Sequence, residues 1–288
     1  MFATGTPFYA FYSTNDPTNA LTYDYPAVSF SGSQTLSWTS GTSGGSLVYG
    51  VYAATSGSKP AAGYGLRTFT DNLITQIDGQ YSNITFASKR TISLAAGNTT
   101  SFTVTAARPL LAYRGTGWVS VLYAKGNGNG TWTIGIQNNT VTASAGTIYV
   151  FDTVPNASQL DGSGYGLRVR DAAENVVFDS RYRYANIAGG GTIPATTPAT
   201  VQTSTLSKNN LAVIISPGFF YRQITQSRQS SGGGTTITTV GVMGITGAGI
   251  NGTTLTIGGC AVISSDEDLY ASFDTLPGYY TLVDVSLF

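Results

Sequence analysis

The chain has few side chains able to do acid–base or nucleophilic chemistry. It contains no histidine, which removes the Ser-His-Asp triad, the Cys-His pair and the common zinc sites together. Carboxylates remain. Asp152, Asp161, Asp171, Glu174 and Asp179 fall in one region. A glycosidase needs two carboxyls facing one sugar across roughly 5 to 10 Å, and nothing in this spacing imposes that. Asp171 and Glu174 read as turn residues, and Asp179 as a partner for an arginine. The trio Asp266-Glu267-Asp268 has the oxygen ligands calcium prefers, but it lacks the alternating ligands and the glycine of a calcium loop; it reads as a solvated turn. The single cysteine, Cys260, sits in a Gly-rich strand beside Val262 and reads as a small buried hydrophobe. The expectation is a chain with no catalytic site, cofactor or metal, and not an enzyme.

Charge is more suggestive. Four of the ten arginines stand at Arg168, Arg170, Arg181 and Arg183, close to Asp179, Tyr182 and Tyr184. Strand alternation puts Arg168 and Arg170 on one face and Arg181 and Arg183 on one face of the return. Two readings follow: a cross-strand charge ladder, or an interface to another subunit, where Arg and Tyr are enriched.

These residues belong to the stretch Gly164 to Tyr184, GYGLRVRDAAENVVFDSRYRY. Its period-two alternation on either side of a polar turn predicts a β-hairpin. A weaker form, GYGLRTFTDNLITQIDGQY, occurs at Gly63 to Tyr81, aligned without a gap 101 residues earlier. Other landmarks recur in order. A proline precedes an aromatic strand at Pro7, Pro109 and Pro217. A strand ends before a loop at VYAAT, FDTVP and FDTLP. A Gly-Tyr start follows at Gly63, Gly164 and Gly278, at 56, 55 and 61 residues from the respective prolines. An internal repeat of about 100 residues is therefore expected. The predicted architecture is all-β, a tandem of small antiparallel β-sandwich or barrel-like domains at 1–100, 101–205 and a partial unit at 206–288. Gly189-Gly190-Gly191 and the Pro194 to Pro198 stretch read as a linker or long loop.

The whole composition agrees with many short strands. The chain has 288 residues, 41% hydrophobic and only 10% charged, with 36 glycines and zero formal net charge. No basic field exists to attract nucleic acid. One cysteine allows no intrachain disulfide, which argues against a disulfide-stapled secreted protein. The start MFATGTPFYAFY does not read as a signal peptide, and no run is long and apolar enough for membrane insertion. Helical periodicity is almost absent.

The stretch Gly164 to Tyr182 resembles structural proteins of tailed bacteriophages, of tail-tip, baseplate or fibre-associated type. There a GYGLxVxDAxxxVVFDS-like stretch accompanies an R-P-L-[LVI]-A segment and a Y-V-F-D strand; here these are Arg108 to Ala112 and Tyr149 to Asp152. The resemblance implies a virion component and carries no catalytic residues. The first hairpin departs from the pattern, with TQIDG in place of VVFDS.

The third unit ends at GYYTLVDVSLF, Gly278 to Phe288, by analogy the first strand of a hairpin without its return. An edge strand left so would pair outside its own unit, with the N-terminal unit of the same chain or, the favoured reading, with a neighbouring subunit. Tyr279, Tyr280, Leu287 and Phe288 therefore join Arg168, Arg170, Arg181, Arg183, Tyr182 and Tyr184 as candidate interface residues. The expected partners are copies of the chain itself and other virion proteins. Two alternatives stay open: a receptor-binding module for host surface glycan, which predicts an exposed cluster among the 18 tyrosines, and a capsid decoration protein. All of these place the chain in the virion.

Overall fold

The computed structural model describes residues 84–152, 165–170, 174, 176–193, 201–215, 219–231, 234–266, 274–275 and 278–288, together with six short strands before residue 79. Those six are β1 (Phe8–Ser13), β2 (Val28–Ser31), β3 (Thr35–Trp38), β4 (Leu47–Tyr52), β5 (Arg67–Phe69) and β6 (Thr75–Asp78). Then come β7 (Thr85–Leu94), β8 (Thr99–Thr105), β9 (Leu110–Gly115), β10 (Val119–Gly126), β11 (Thr131–Asn138), β12 (Ser144–Asp152), β13 (Arg168–Arg170) and β14 (Val176–Asp179). The rest are β15 (Asn186–Ile193), β16 (Gln202–Thr205), β17 (Leu211–Ile214), β18 (Phe219–Ser231), β19 (Gly234–Asn251), β20 (Thr254–Asp266), β21 (Asp274–Thr275) and β22 (Gly278–Asp284). The described residues contain strands and no helix, so none is long and apolar enough to cross a membrane. The molecule is all-β, and every strand pair described is antiparallel.

Two large sheets form a sandwich. One runs β16-β20-β19-β10-β11-β8, with β18 beside β19 and β21 beside β18; the other runs β15-β22-β17-β9-β12-β7. Alternation in the sequence explains which sides meet. In β8, Phe102 and Val104 are buried while Ser101, Thr103 and Thr105 face water, as period two requires of a half-buried strand. From the first sheet, Phe102, Val104, Val119, Val121, Ile134, Ile136, Ile250, Leu255 and Ile257 enter one core. From the second, Ile92, Leu94, Leu111, Tyr113, Ile148, Val150, Leu211, Val213 and Leu282 meet them. The alternate residues of the second sheet, Phe86, Leu110, Ala112, Phe151, Ala212, Ile214 and Val283, make a second cluster on its opposite face. That explains why β9, β12 and β17 read as continuous apolar runs rather than alternating ones. Backbones come close where β19 meets β10: a Cβ on Gly249 would collide with the Gly117 carbonyl oxygen.

Three features differ from the sequence reading. First, both sheets take strands from either side of residues 205/206, and the six-stranded sheet also from either side of 100/101. The boundary at 100/101 cuts β8 itself, and β15 and β16 share sheets with strands beyond residue 206. The sheets thus run across positions 100/101 and 205/206, and the repeat of about 100 residues is not confirmed by them. Second, Gly189-Gly190-Gly191 is no linker but the middle of β15, paired with Leu282, Thr281 and Tyr280. A Cβ on Gly191 would stand 2.6 Å from the Tyr280 hydroxyl and 2.8 Å from its ring. The glycines make room for an aromatic on the neighbouring strand, and composition alone reads that as flexibility. Third, β22 is not an edge. It lies between β15 and β17, with Leu211↔Asp284 on one side and Asn186↔Asp284 on the other. Its missing return strand is replaced by two partners from elsewhere in the same chain. The Pro194 to Pro198 stretch lies outside the described residues.

Candidate interaction site

The hairpin expected at Gly164 to Tyr184 is β13–β14. Arg168 pairs with Asp179, Val169 with Phe178 and Arg170 with Val176, with an irregularity between Val169 and Arg170. Within the turn, Glu174 has a positive φ of 65. The left-handed region is uncommon for a residue with a side chain. Here the Glu174 carbonyl accepts a hydrogen bond from Arg170 Nη1, which helps hold the turn. Beyond the ladder, Ser180 N donates to Leu167 O at 2.8 Å and Leu167 N donates to Ser180 Oγ at 2.9 Å.

Asp179 is the centre of the site. Its side chain is 1% exposed. Arg168 Nε donates to Oδ2 at 2.8 Å, Arg181 Nε to Oδ1 at 2.9 Å and Arg181 Nη2 to Oδ2 at 2.6 Å; Arg181 N adds a bond to Oδ1 at 3.1 Å. The Arg181 hydrogen bonds, with the Arg168 bond behind them, hold the carboxyl well below the usual carboxylate range against the opposing effect of burial. The stem of Arg181 runs across Gly166, where a Cβ would come within 3.1 Å of Arg181 Cγ. That close approach accounts for the second glycine of the Gly-Tyr-Gly start.

Tyr184 locks the same turn from the other side. Asp179 N donates to its hydroxyl at 2.6 Å, and the hydroxyl donates to Asp179 O at 2.9 Å. Its ring stacks on Phe178 with centroids 4.9 Å apart, and burial pushes its hydroxyl pKa up. The following residues join the hairpin to the six-stranded sheet. Phe86 N donates to Arg183 O at 2.7 Å, Ala185 N to Ile84 O at 2.9 Å, and Thr85 bridges to Tyr184.

The sequence-derived candidates thus fall into two groups. Arg168 and Arg181 form the intrachain charge pairing with Asp179, and Tyr182 N bonds Asp179 O. Tyr184 and Tyr280 are half-buried in contacts of their own chain, and Phe288 stacks on Phe86 at 4.8 Å and edge-on to Phe151 at 5.4 Å. Arg183 Nη1 donates to the Leu287 carbonyl at 3.0 Å, while the Leu287 side chain is 72% exposed. Tyr279 is opposite Thr192 in register. Arg170 sits at the surface near Glu174, Nε to Oε2 4.0 Å. Two residues not singled out from the sequence face outward beside these arginines: Tyr165, fully exposed, and Leu167, half-exposed. The flanking glycines mark the backbone around Tyr165, but they give no sign of which way its ring points.

Of the other carboxylates, Asp152 is buried and accepts hydrogen bonds from Ala107 N at 2.7 Å and Arg108 N at 2.9 Å. It ties the end of β12 to the turn before Pro109, so two sequence landmarks are physically joined. Asp179 is kept ionised by its arginines, and Asp152 is engaged by the backbone amides of Ala107 and Arg108. Asp161 and Asp171, like Glu267 and Asp268, lie outside the described residues. Cys260 stands in β20 opposite Thr246. Among the described residues no three His, Cys, Asp or Glu side chains gather as metal ligands. What this arrangement offers is a braced hairpin with Tyr165, Leu167 and Arg170 exposed at its surface. No family model matches the chain, and neither a curated protein nor a solved structure matches it.

Proposed function

We propose that this chain is a structural component of a bacteriophage particle, a tail or tail-tip protein acting in an oligomer with copies of itself and other virion proteins. The observation that carries the reading is the braced hairpin of β13 and β14. The stretch resembling phage structural proteins uses its carboxylate and two of its arginines to fix its own shape, and it presents Tyr165 and Leu167 outward. Charged chemistry devoted to rigidity suits a docking element better than an active site. The scarcity of charge over the whole chain is in keeping with extensive protein contacts, and the reading is of a protein without enzymatic activity.

Tyrosine placement supports a scaffold. Among the tyrosines whose side chains the structure describes, Tyr113 and Tyr149 are buried and Tyr182, Tyr184 and Tyr280 are half-buried, so these form no exposed cluster. Tyr165 is the exception. Its free ring favours a second reading, a receptor-binding module that stacks on host surface glycan.

The test is to label phage particles from the source with an antibody raised against the folded chain. Label on the tail supports the reading, and label over the shell transfers it to capsid decoration. Particles that carry no label overturn it. For the second reading, glycan-array binding that vanishes with Tyr165→Ala is the expected result, and an array without signal removes it.

A further inference from the structure

β18 and β19 form a long hairpin, paired from Phe219↔Thr246 to Ser231↔Gly234. Its base is flanked. β20 follows β19 as far as Gly241↔Asp266, and β21 covers Tyr221 and Arg222 on β18. Beyond those points residues 225–231 and 234–240 pair with each other alone among the described residues. They make a two-stranded arm roughly 20 Å long at the usual rise per residue.

A two-stranded ribbon is marginally stable in water, and three or more strands are the usual requirement. The outer edge of β19 also lacks the usual guards against pairing. Residues 234–240 read GTTITTV, with no proline and no charge. The edge strand β7, by comparison, carries Lys89 and Arg90.

The order of residues says what would pair there. Thr235-Thr236-Ile237-Thr238-Thr239 reads the same in both directions. In an antiparallel pair of identical strands about a two-fold axis at Ile237, Thr235 meets Thr239, Thr236 meets Thr238, and Ile237 meets its own copy. Every pair is like with like, and Thr–Thr pairs across strands are favourable. A slip of one residue sets Ile237 against a threonine and moves each side chain to the other face. Closed two-fold association through one self-complementary patch is the commonest oligomeric arrangement.

We propose that the outer edge of β19 pairs antiparallel with the same segment of a second copy, on a two-fold axis through Ile237, so that two arms make a four-stranded sheet β18-β19-β19-β18. The partner of the oligomer is thereby named, and the inference rests on the reading that the chain associates with itself. β22, the edge that the sequence alone offers for this purpose, is occupied on both sides.

The test uses the full chain. Sedimentation across a concentration series establishes whether the wild type self-associates. Single cysteines are then placed at Ile237→Cys and at Thr235→Cys in a Cys260→Ala background, and the proteins are oxidised mildly. Directly opposed strand residues lie about 4.5–5.5 Å apart between Cα atoms, within disulfide reach. Two copies of residue 235 would be about 14 Å apart along the strand. Ile237→Cys is expected to give a covalent dimer and Thr235→Cys a monomer. Ile237→Lys, with circular dichroism to check the fold, is expected to weaken association at least tenfold. A wild type that self-associates while neither cysteine cross-links, or both do equally, overturns the arm pairing and leaves self-association standing. So does a folded Ile237→Lys protein with unchanged association. A wild type that stays monomeric throughout removes both.

Discussion

The strands at residues 8–78 and those at residues 110–179 are paired in the same way. In the first group β1 pairs with β4, β2 with β3 and β5 with β6; in the second β9 pairs with β12, β10 with β11 and β13 with β14. The ladder Phe8↔Tyr52 to Ser13↔Leu47 has the same six steps after a proline as Leu110↔Phe151 to Gly115↔Gly146. The hairpins agree residue by residue at an offset of 101: Arg67↔Asp78 with Arg168↔Asp179, Thr68↔Ile77 with Val169↔Phe178, Phe69↔Thr75 with Arg170↔Val176, and an irregularity at the same step. What differs is what surrounds them. β9 and β12 are widened by β17 and β7, and β10 by β19, and that widening supplies the opposing walls of the sandwich core. Where Arg181 braces Asp179, the aligned position 80 is Gln. Local pairing tolerates much sequence change, and among the described residues only the second group is widened into larger sheets.

The largest expected effect lies in that packing. Ile148 is fully buried where β12 faces the opposite sheet. Ile148→Ala should cost about 2–5 kcal/mol in urea titration, and hydrogen exchange should quicken through β7, β9 and β12 while β1 and β4 keep their rates. Equal quickening in both groups would show that the two regions behave as one cooperative body. Next comes the strand that extends the six-stranded sheet. Gly191→Val should cost about 1–3 kcal/mol through overpacking, and a second change, Tyr280→Ala, should recover part of the loss by vacating the space.

The hairpins provide a finer comparison. Asp179→Asn removes the anchor of two arginines and should cost about 1–2 kcal/mol, with surface exposure of the arginines limiting the figure. Asp78→Asn should cost less, because the sequence position aligned with the second arginine is a glutamine, Gln80. Equal costs would break the comparison at this point. The carboxyl of Asp179 titrates below its ordinary range when folded, so its contribution is complete above the unfolded carboxylate pKa of about 3.9. It is lost only as pH falls through the lower folded value. Amide protection from Ser180 to Tyr184 should thus stay level from pH 7 to about pH 5, as read by exchange-detected NMR. The smallest effect expected is a gain: Gln80→Arg should add about 0.5 kcal/mol to the first hairpin.

Much of the strand inventory was legible in the sequence, because period-two alternation and Gly/Asn turns are local signals. β8 and the hairpin of β13 and β14 follow directly from them. The closeness of Asp179 to two arginines was legible as well. The stacking of Tyr184 on Phe178 and the bonds from Asp152 to Ala107 and Arg108 were not, since each depends on where distant backbone segments come to rest. The pairing of β15 with β22 joins residues some ninety positions apart in the chain, and no local pattern announces such a contact. Gly189-Gly190-Gly191 carried the clue in a form that composition obscures: three residues without side chains, matched by a strand with two adjacent tyrosines.

The interior position of β22 has a consequence for how the protein is made. On the ribosome, β7, β9, β12, β15 and β17 all emerge before residues 278–284 exist, and β15 and β17 have a strand-wide gap between them until then. The six-stranded sheet cannot close during most of translation, and the apolar faces of β9, β12 and β17 must wait for several seconds at ordinary elongation rates. Folding of this half of the sandwich is timed by the synthesis of Gly278 to Asp284, so a ribosome that stalls before Gly278 holds a nascent chain whose sheet edges remain open to any neighbour.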